Sequence, residues 1–243
     1  MRLKITIAYD GSPYKGWQSQ PFGLTVQDTM EEALARIAKR RVVVHACSRT
    51  DTGVHALGQC AHIDVDPGRS AAEWRRLINY NLPPSIRIMR CSAVPASFDS
   101  RRASKGKIYR YTIRTTDTVL PHEFGRVWTV PGELDLELLR ATAAMFVGKH
   151  NFRGFGSNKK NPTQTVRTIS SLNVAQRGSR ITLTFTGPGF LYRMVRMITG
   201  SIVRVALGKD DIKEIRHRLH DPGNPIWRQA APPGGLCLMR VIY

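Results

Sequence analysis

The sequence predicts an α+β protein made of two tandem ferredoxin-like (split βαβ) halves, residues 1–97 and 98–243, whose antiparallel sheets are backed by helices. Two observations carry that prediction. Hydrophobic period orders residues 3–94 as β-α-β-β-α-β, and residues 107–242 can be read in the same order again. A third bounds it: 243 residues suffice for one large domain or two small ones. A chain of that length buries roughly 70–75% of its unfolded surface, so folding requires neither disulfide nor metal.

Leu3 to Tyr9 alternates with period two and stops at Asp10-Gly11, a strand meeting a turn. A loop rich in Gly and Pro follows. From Val26 to about Arg40 the apolar residues Val26, Met30, Ala33, Leu34 and Ile37 recur at helical spacing, with Thr25 placed as N-cap. Val42–Cys47 and Gly58–Val65 read as strands, Ala71–Asn79 as a helix and Ile86–Val94 as a strand. In the second half Lys107–Arg114 reads as strand and Leu134–Val147 as helix. Val166–Ala175 and Arg180–Thr186 read as a strand pair turning near Arg177-Gly178. Phe190–Leu207 and Asp211–Leu219 read as helices, and Leu236–Ile242 as the last strand. A cleft between the halves would draw on the central loops of both.

The longest apolar stretch, Phe190–Leu207, is broken by Arg193, Arg196 and Arg204, so no membrane-spanning helix is expected. The opening Met1-Arg2-Leu3-Lys4 leads straight into a strand pattern without an export signal. Cys47, Cys60, Cys91 and Cys237 show no Cys-x-x-Cys spacing, as suits reduced thiols. The expected compartment is the cytoplasm.

Charge is the unusual property. Thirty-seven Lys+Arg against eighteen Asp+Glu give a formal +19. Two stretches hold no interior carboxylate. Between Glu137 and Asp210 lie Arg140, Lys149, Arg153, Lys159, Lys160, Arg167, Arg177, Arg180, Arg193, Arg196, Arg204 and Lys209; between Asp99 and Asp117 lie Arg101, Arg102, Lys105, Lys107, Arg110 and Arg114, with Tyr109 and Tyr111 interleaved. Cations without acidic neighbours take phosphates as counter-charges, and aromatics among them offer faces to bases, which indicates a nucleic-acid partner. A solvated basic surface is the plainer alternative.

Few residues stand out for chemistry. Asp51 lies in Ser48-Arg49-Thr50-Asp51-Thr52-Gly53-Val54-His55-Ala56, a polar turn between two strands. It could merely make an Asx-turn with Gly53 at positive φ. Asp51-Thr52-Gly53 also matches the aspartic-protease tripeptide, but it occurs once and would leave the cations unexplained. Arg196 borders the apolar stripe of its helix, and pairing it with Asp51 across the halves would keep that carboxylate ionised; snorkelling is the alternative. Tyr109 and Tyr111 share one strand face as sheet packing or as a stacking platform. His45, Cys47, Cys60 and His62 could in principle build a tetrahedral zinc site, yet i, i+2 spacing on strands also marks core positions. No metal is expected.

Arg49-Thr50-Asp51-Thr52-Gly53-Val54-His55-Ala56 resembles the active-site motif of the tRNA pseudouridine synthase A family. Tyr9-Asp10-Gly11 through Tyr14-x-Gly16-Trp17-Gln18 resembles its opening motif, and Phe98-x-x-Arg101 through Lys107-x-Tyr109-x-Tyr111 its central one. Phe190 with Met194-Val195-Arg196 resembles the third, and Ala231-Pro232-Pro233-x-Gly235-Leu236-x-Leu238 with Val241-x-Tyr243 the last. The departures are Ser48 for the usual Gly, Thr52 for Ala and Cys60 for Val.

The resemblance implies a pseudouridine synthase-like fold and an isomerase that needs no cofactor. Its substrate would be uridine at positions 38 to 40 of the tRNA anticodon stem-loop, and it would act as a homodimer. The uracil would leave C1′, turn and rejoin through C5. Asp51 would be the essential carboxylate, as nucleophile or general base. Tyr109 would stack on the base, Arg196 would pair with Asp51, and Arg49 would help hold the uridine out of its stack. A non-catalytic RNA-binding or RNA-chaperone protein would account for the charge but gives Asp51 and Arg196 no task.

Overall fold

The computed structural model describes residues 1–156, 164–220 and 229–243. Lys159 and Lys160 of the long basic stretch lie outside the described residues. By contact the chain forms two compact units, Met1–Lys105 with Cys237–Tyr243, and Gly106–Leu236.

The first unit is built from β1 (Arg2–Tyr9), α1 (Val26–Ala38), β2 (His45–Ala46), β3 (His55–Asp64), α2 (Ala71–Asn81) and β4 (Ile86–Val94). In β1 the alternation seen in the sequence becomes strict alternation of burial, with Leu3, Ile5, Ile7 and Tyr9 inside. β1 lies between β4 and β3, antiparallel to both, and β2 pairs antiparallel with β3. That order is the one a β-α-β-β-α-β chain forms when each helix crosses one face of an antiparallel sheet. Thr25 caps α1 by accepting from the Asp28 amide at 3.1 Å. Ser70 and Glu73 close a capping box on α2, so both helices start where their side chains satisfy the free amides. Val26, Met30, Ala33 and Leu34 of α1, with Trp74 and Ile78 of α2, are buried. The final strand, β11 (Leu236–Ile242), runs parallel to β3 through Cys237 and Leu238.

The second unit contains β5 (Gly106–Arg114), β6 (Trp128–Thr129), α3 (Leu136–Ala144), β7 (Gly148–Asn151), β8 (Val166–Ile169), β9 (Ser171–Arg177), β10 (Arg180–Gly187), α4 (Met194–Ala206) and α5 (Ile212–His220). β10 lies between β5 and β9, antiparallel to both, and turns from β9 at Gly178. Phe146, Phe155, Ile169, Phe185 and Ile198 are among the fully buried residues of this unit. α4 is buried on almost every side. A helix apolar all round belongs inside a core, which is why Phe190–Leu207 reads so hydrophobic.

The α+β class and the helix-backed, mainly antiparallel sheet structure hold as expected, with β11 on β3 and β6 on β5 as parallel pairs. Local differences have local causes. The strand expected over 42–47 forms a ladder only at His45–Ala46, although Val42 and Val44 are buried. The strand expected over 166–175 divides at Ser170, whose amide turns to Thr186 O, so that β8 pairs with β7 instead. α4 starts at Met194 rather than near Phe190 because Arg193 is left-handed (φ 60°). The sequence-order halves at 1–97 and 98–243 follow the repeat of elements, whereas the compact units follow packing. They differ at residues 98–105 and at β11, last in the second order yet grouped with the first unit.

Several of the cations that have no acidic neighbour in sequence find one in space. Glu123, from the short 3₁₀ turn Pro121–Glu123, is buried and accepts from Arg114 at 2.7 and 2.9 Å and also from Arg180. Arg204 makes a two-point bond to Asp210. No helix among the described residues is long and apolar enough to cross a membrane.

The Arg114 hydrogen bonds, opposed by desolvation and aided by Arg180, hold the Glu123 carboxyl down at about 2 against an ordinary 4.5. Between those values the unfolded chain binds the extra proton, so stability falls as pH drops from about 4.5 toward about 2. Glu123→Gln should flatten that part of the profile, measured by urea denaturation at a series of pH values. An unchanged slope would show that the carboxylate contributes nothing there.

Candidate active site

The Asp51 loop, residues 47–54, joins β2 to β3 and is held from two directions within the first unit. From below, the fully buried Gln59 of β3 donates through Nε2 to Ser48 O at 2.7 Å and accepts the Ser48 and Cys60 amides. From the side comes the segment after β1. Tyr9 Oη and Thr50 Oγ1 share a buried 2.8 Å hydrogen bond, the Trp17 amide donates to Thr50 O at 3.1 Å, and the Gly53 amide donates to Tyr14 O at 3.3 Å. The Gly11 amide donates to Nδ1 of the buried His55. Tyr9 and Trp17 pack at 5.9 Å beneath these bonds.

Gly16 shows how close the contact is. Its φ is +87°, and a Cβ there would sit 2.7 Å from Thr50 O and 3.1 Å from the Asp51 carbonyl carbon. Only glycine meets both conditions.

The turn itself is closed by the main chain: the Val54 amide donates to Asp51 O at 3.1 Å, with Gly53 at φ 76°. Gly53 therefore has the predicted positive φ, while the closing bond runs through the backbone carbonyl. Asp51 is half-buried, Thr50 before it is buried and Arg49 is exposed. The loop thus carries a carboxylate at its partly open tip and a cation facing solvent.

Tyr109 and Arg196 belong to the second unit. Tyr109 lies on β5 opposite Phe185 of β10, buried, with its ring edge-on to Phe190 at 5.4 Å. Tyr111, two residues on, is fully enclosed. Its hydroxyl donates to Pro232 O at 2.7 Å and its ring meets Trp128 edge-on at 6.1 Å. Burial pushes that phenol well above its ordinary value, against the pull of the Arg196 charge. Tyr111 is thus a core residue.

Arg196 is the third residue of α4. Its Nε donates to Ala231 O at 2.8 Å, and the Ala231 amide donates back to Arg196 O at 3.0 Å. The segment approaches this closely because Gly200, one turn along, has no side chain: a Cβ would lie 2.4 Å from Gln229 O. The snorkelling alternative does not describe this arrangement, because the guanidinium is fixed to main chain.

His45, Cys47, Cys60 and His62 do meet across the β2–β3 pair, His45 opposite His62 and the Cys47 amide bonded to Cys60 O. His62 Nδ1 accepts the Ser100 amide at 3.1 Å, and the two thiols pack with Val241 and Tyr243. Burial raises the Cys60 thiol to about 11 and lowers His62. Among the described residues no group of three or more ligating side chains could hold a metal ion.

The sequence profile described as tRNA pseudouridine synthase matches residues 5–101 and 142–243, which include the Asp51 loop and Arg196. The chain belongs to the tRNA pseudouridine synthase family. Relatives named tRNA pseudouridine synthase A agree along the whole length. That of Akkermansia muciniphila is 40% identical and covers all of this chain and 95% of its own length. Those of Citrifermentans bemidjiense and of Geobacter sp. strain M21 are 39% and 38% identical, each covering 99% of this chain. A solved structure titled "Crystal Structure of a Cbf5-Nop10-Gar1 Complex" overlaps loosely, at TM-score 0.37 and 9% identity over 83% of this chain and 45% of that one.

Within this pseudouridine synthase the opening motif acquires a physical task. Tyr9, Gly11, Tyr14, Gly16 and Trp17 all contact the Asp51 loop or flank those that do. Sequence reading left that task unassigned. The fully buried Gln59, a lone amide in an apolar strand, was the available signal, since such a side chain needs polar partners nearby.

Tyr9→Phe removes one buried hydrogen bond and should cost about 0.5–1.5 kcal/mol by chemical denaturation. It should also lower turnover, because Thr50 loses its anchor next to Asp51. A variant with wild-type turnover would show that the loop does not depend on that bond.

Proposed function

We propose that this chain isomerises uridine to pseudouridine at positions 38 to 40 of the tRNA anticodon stem-loop. The observation that carries this reading is the placement of Asp51, a carboxylate at the tip of a loop braced on two sides, in a chain that belongs to this family and carries a +19 charge.

In the reaction the C1′–N1 bond breaks, the uracil turns, and C1′ bonds to C5. The C5 proton leaves and N1 gains one, so atoms and electrons balance without a redox partner. Asp51 serves as nucleophile or as general base, and a rigid loop suits either task because it fixes the carboxylate without reorganisation during the step. Arg196, whose Nε is fixed to Ala231 O, is its counter-charge. Tyr109 stacks on the target base, which suits a ring half-clamped by Phe190. The exposed Arg49 helps hold the uridine out of its stack. The protein works in the cytoplasm as a homodimer, and its basic surface holds the tRNA by phosphates.

Asp51→Asn should abolish pseudouridine formation on unmodified tRNA, mapped by chemical labelling and primer extension, while leaving tRNA affinity near wild type. Retained product would sink the mechanism, and wild-type protein that binds tRNA but makes no pseudouridine would favour a non-catalytic RNA-binding protein.

The two tyrosines should separate. Tyr111→Ala should lose about 3–5 kcal/mol of stability, as large core truncations do. Tyr109→Ala should lose activity with a smaller change in melting temperature. The opposite pattern would reverse their roles. Affinity for tRNA should also fall steeply as salt rises; a flat log K against log[salt] plot would remove phosphate binding from the account.

A further inference from the structure

The loop that follows the Asp51 brace presents an aromatic ring to solvent. Phe22 is 83% exposed and Leu24 62%. A lone exposed phenylalanine is ordinary, but this one sits on a loop built to a fixed shape. The Gly23 amide donates to Gln20 O at 3.0 Å, Gln20 Nε2 to Lys15 O at 2.9 Å, and the Lys15 amide to Leu24 O at 2.8 Å. At the loop's base the Val26 amide donates to Gly16 O and the Gln27 amide to Trp17 O, while Gln27 Oε1 accepts the Ser19 amide and the Gln18 side chain. Gly23 and Leu24 are consecutive left-handed residues, at φ 62° and 59°. For leucine that conformation is costly, and it persists only where the surroundings impose it.

The same segment grips the reacting loop. Lys15, bonded to Leu24, adjoins Gly16, whose α-carbon abuts Thr50 and Asp51. Phe22 is two residues before Leu24, at most about 7 Å of chain away. The ring is therefore presented within a few nucleotides' length of Asp51.

We propose that Phe22 is a stacking platform for an RNA base neighbouring the reacting uridine. This deepens the functional reading above and rests on it. Three observations favour RNA over a second copy of the chain. Residues 11–27 contain Lys15 and no carboxylate. The apolar part of the loop consists of two side chains, far short of the roughly 800 Å² per partner of a stable dimer interface. The backbone that carries the ring is fixed in advance, which lowers the entropy lost when a base stacks on it. A base drawn next to an extruded uridine has lost one stacking neighbour, and an aromatic face replaces it.

The test compares Phe22→Ala, Phe22→Leu, Phe22→Tyr and Phe22→Trp on unmodified tRNA and on the isolated anticodon-arm RNA. Base–aromatic stacking predicts that Ala and Leu raise Kd and KM by about 5- to 100-fold while Tyr and Trp stay near wild type. The slope of log Kd against log[salt] should stay the same, because no phosphate contact is lost. Melting temperature should not move, since the side chain is exposed. Wild-type Kd and KM for Phe22→Ala would overturn the proposal, as would a Leu variant that matches Trp. A Phe22→Ala protein that sediments as monomer where wild type is dimer would assign the ring to a copy contact instead. If wild type makes no pseudouridine, the functional reading fails by itself, and the Kd series on anticodon-arm RNA still decides the stacking.

Discussion

The structure of the first unit turns on one buried hydrogen bond, Tyr9 Oη to Thr50 Oγ1, and on the missing side chain of Gly16 beside it. Together they fix two loops that leave the sheet separately, one after β1 and one before β3. Without them the Asp51 loop would keep the Gln59 bonds at Ser48 and its main-chain bonds at Cys47, Thr50, Gly53 and Val54, but Thr50 would lose its buried side-chain anchor and the 14–17 segment its close approach to Asp51. The core explains why Tyr9 is available for this. It is the last inward residue of the β1 alternation, so the ring is anchored by the sheet and the hydroxyl emerges at the sheet's end, where the loop passes. A packing residue and a positioning residue are here the same residue.

The charge divides once the ion pairs are placed. Arg114, Arg180 and Arg204 have carboxylate partners in the second unit, and Arg2 and Arg40 have Asp64 and Asp66 in the first. These arginines hold structure together. The five arginines share four acids, since Arg114 and Arg180 both bond Glu123, so nearly all of the +19 surplus falls on the remaining cations. Arg101, Arg102, Arg110, Arg140, Lys149, Arg153, Arg177 and Lys209 are exposed among them. The absence of acids along the sequence was thus a sound guide to surplus and a poor guide to which cations carry it, because Glu123 and Asp210 lie just outside the stretches they serve.

Most of the architecture was legible because it rests on period. β1, α1, α2, β10 and α4 announce themselves through alternation or helical spacing, and Thr25 marks the start of α1 through capping chemistry. Of the two-residue strands, β2 was read too long and β6 was not read at all, since so short a ladder depends on which neighbour accepts its amides. Ser170 is similar: it divides a stretch that reads as one strand because its amide finds Thr186 O, a partner distant in sequence. In the site, Asp51 stood out as an acid in a polar turn. The roles of Gly16 and Gln59 did not, because both act through contacts made only after the chain has folded.

The tyrosines of β5 mark the limit of pattern reading. Tyr109 and Tyr111 have the same strand, face and spacing, and period two treats them alike. What separates them is what stands above each ring. Tyr111 lies under Gly235, whose missing side chain leaves room for the phenol; a Cβ there would sit 2.6 Å from the ring. Its hydroxyl is then satisfied by Pro232 O, and nothing of it remains for a ligand. Tyr109 meets Phe190 by an edge and makes its ladder contact with Phe185. The 231–236 segment decides both tyrosine and arginine: Ala231 fixes Arg196, Pro232 satisfies Tyr111, and Gly235 seals its ring. That explains why a stretch of small residues and prolines, featureless by hydrophobic period, carries a motif at all: its carbonyls and its missing side chains are what the neighbouring elements use.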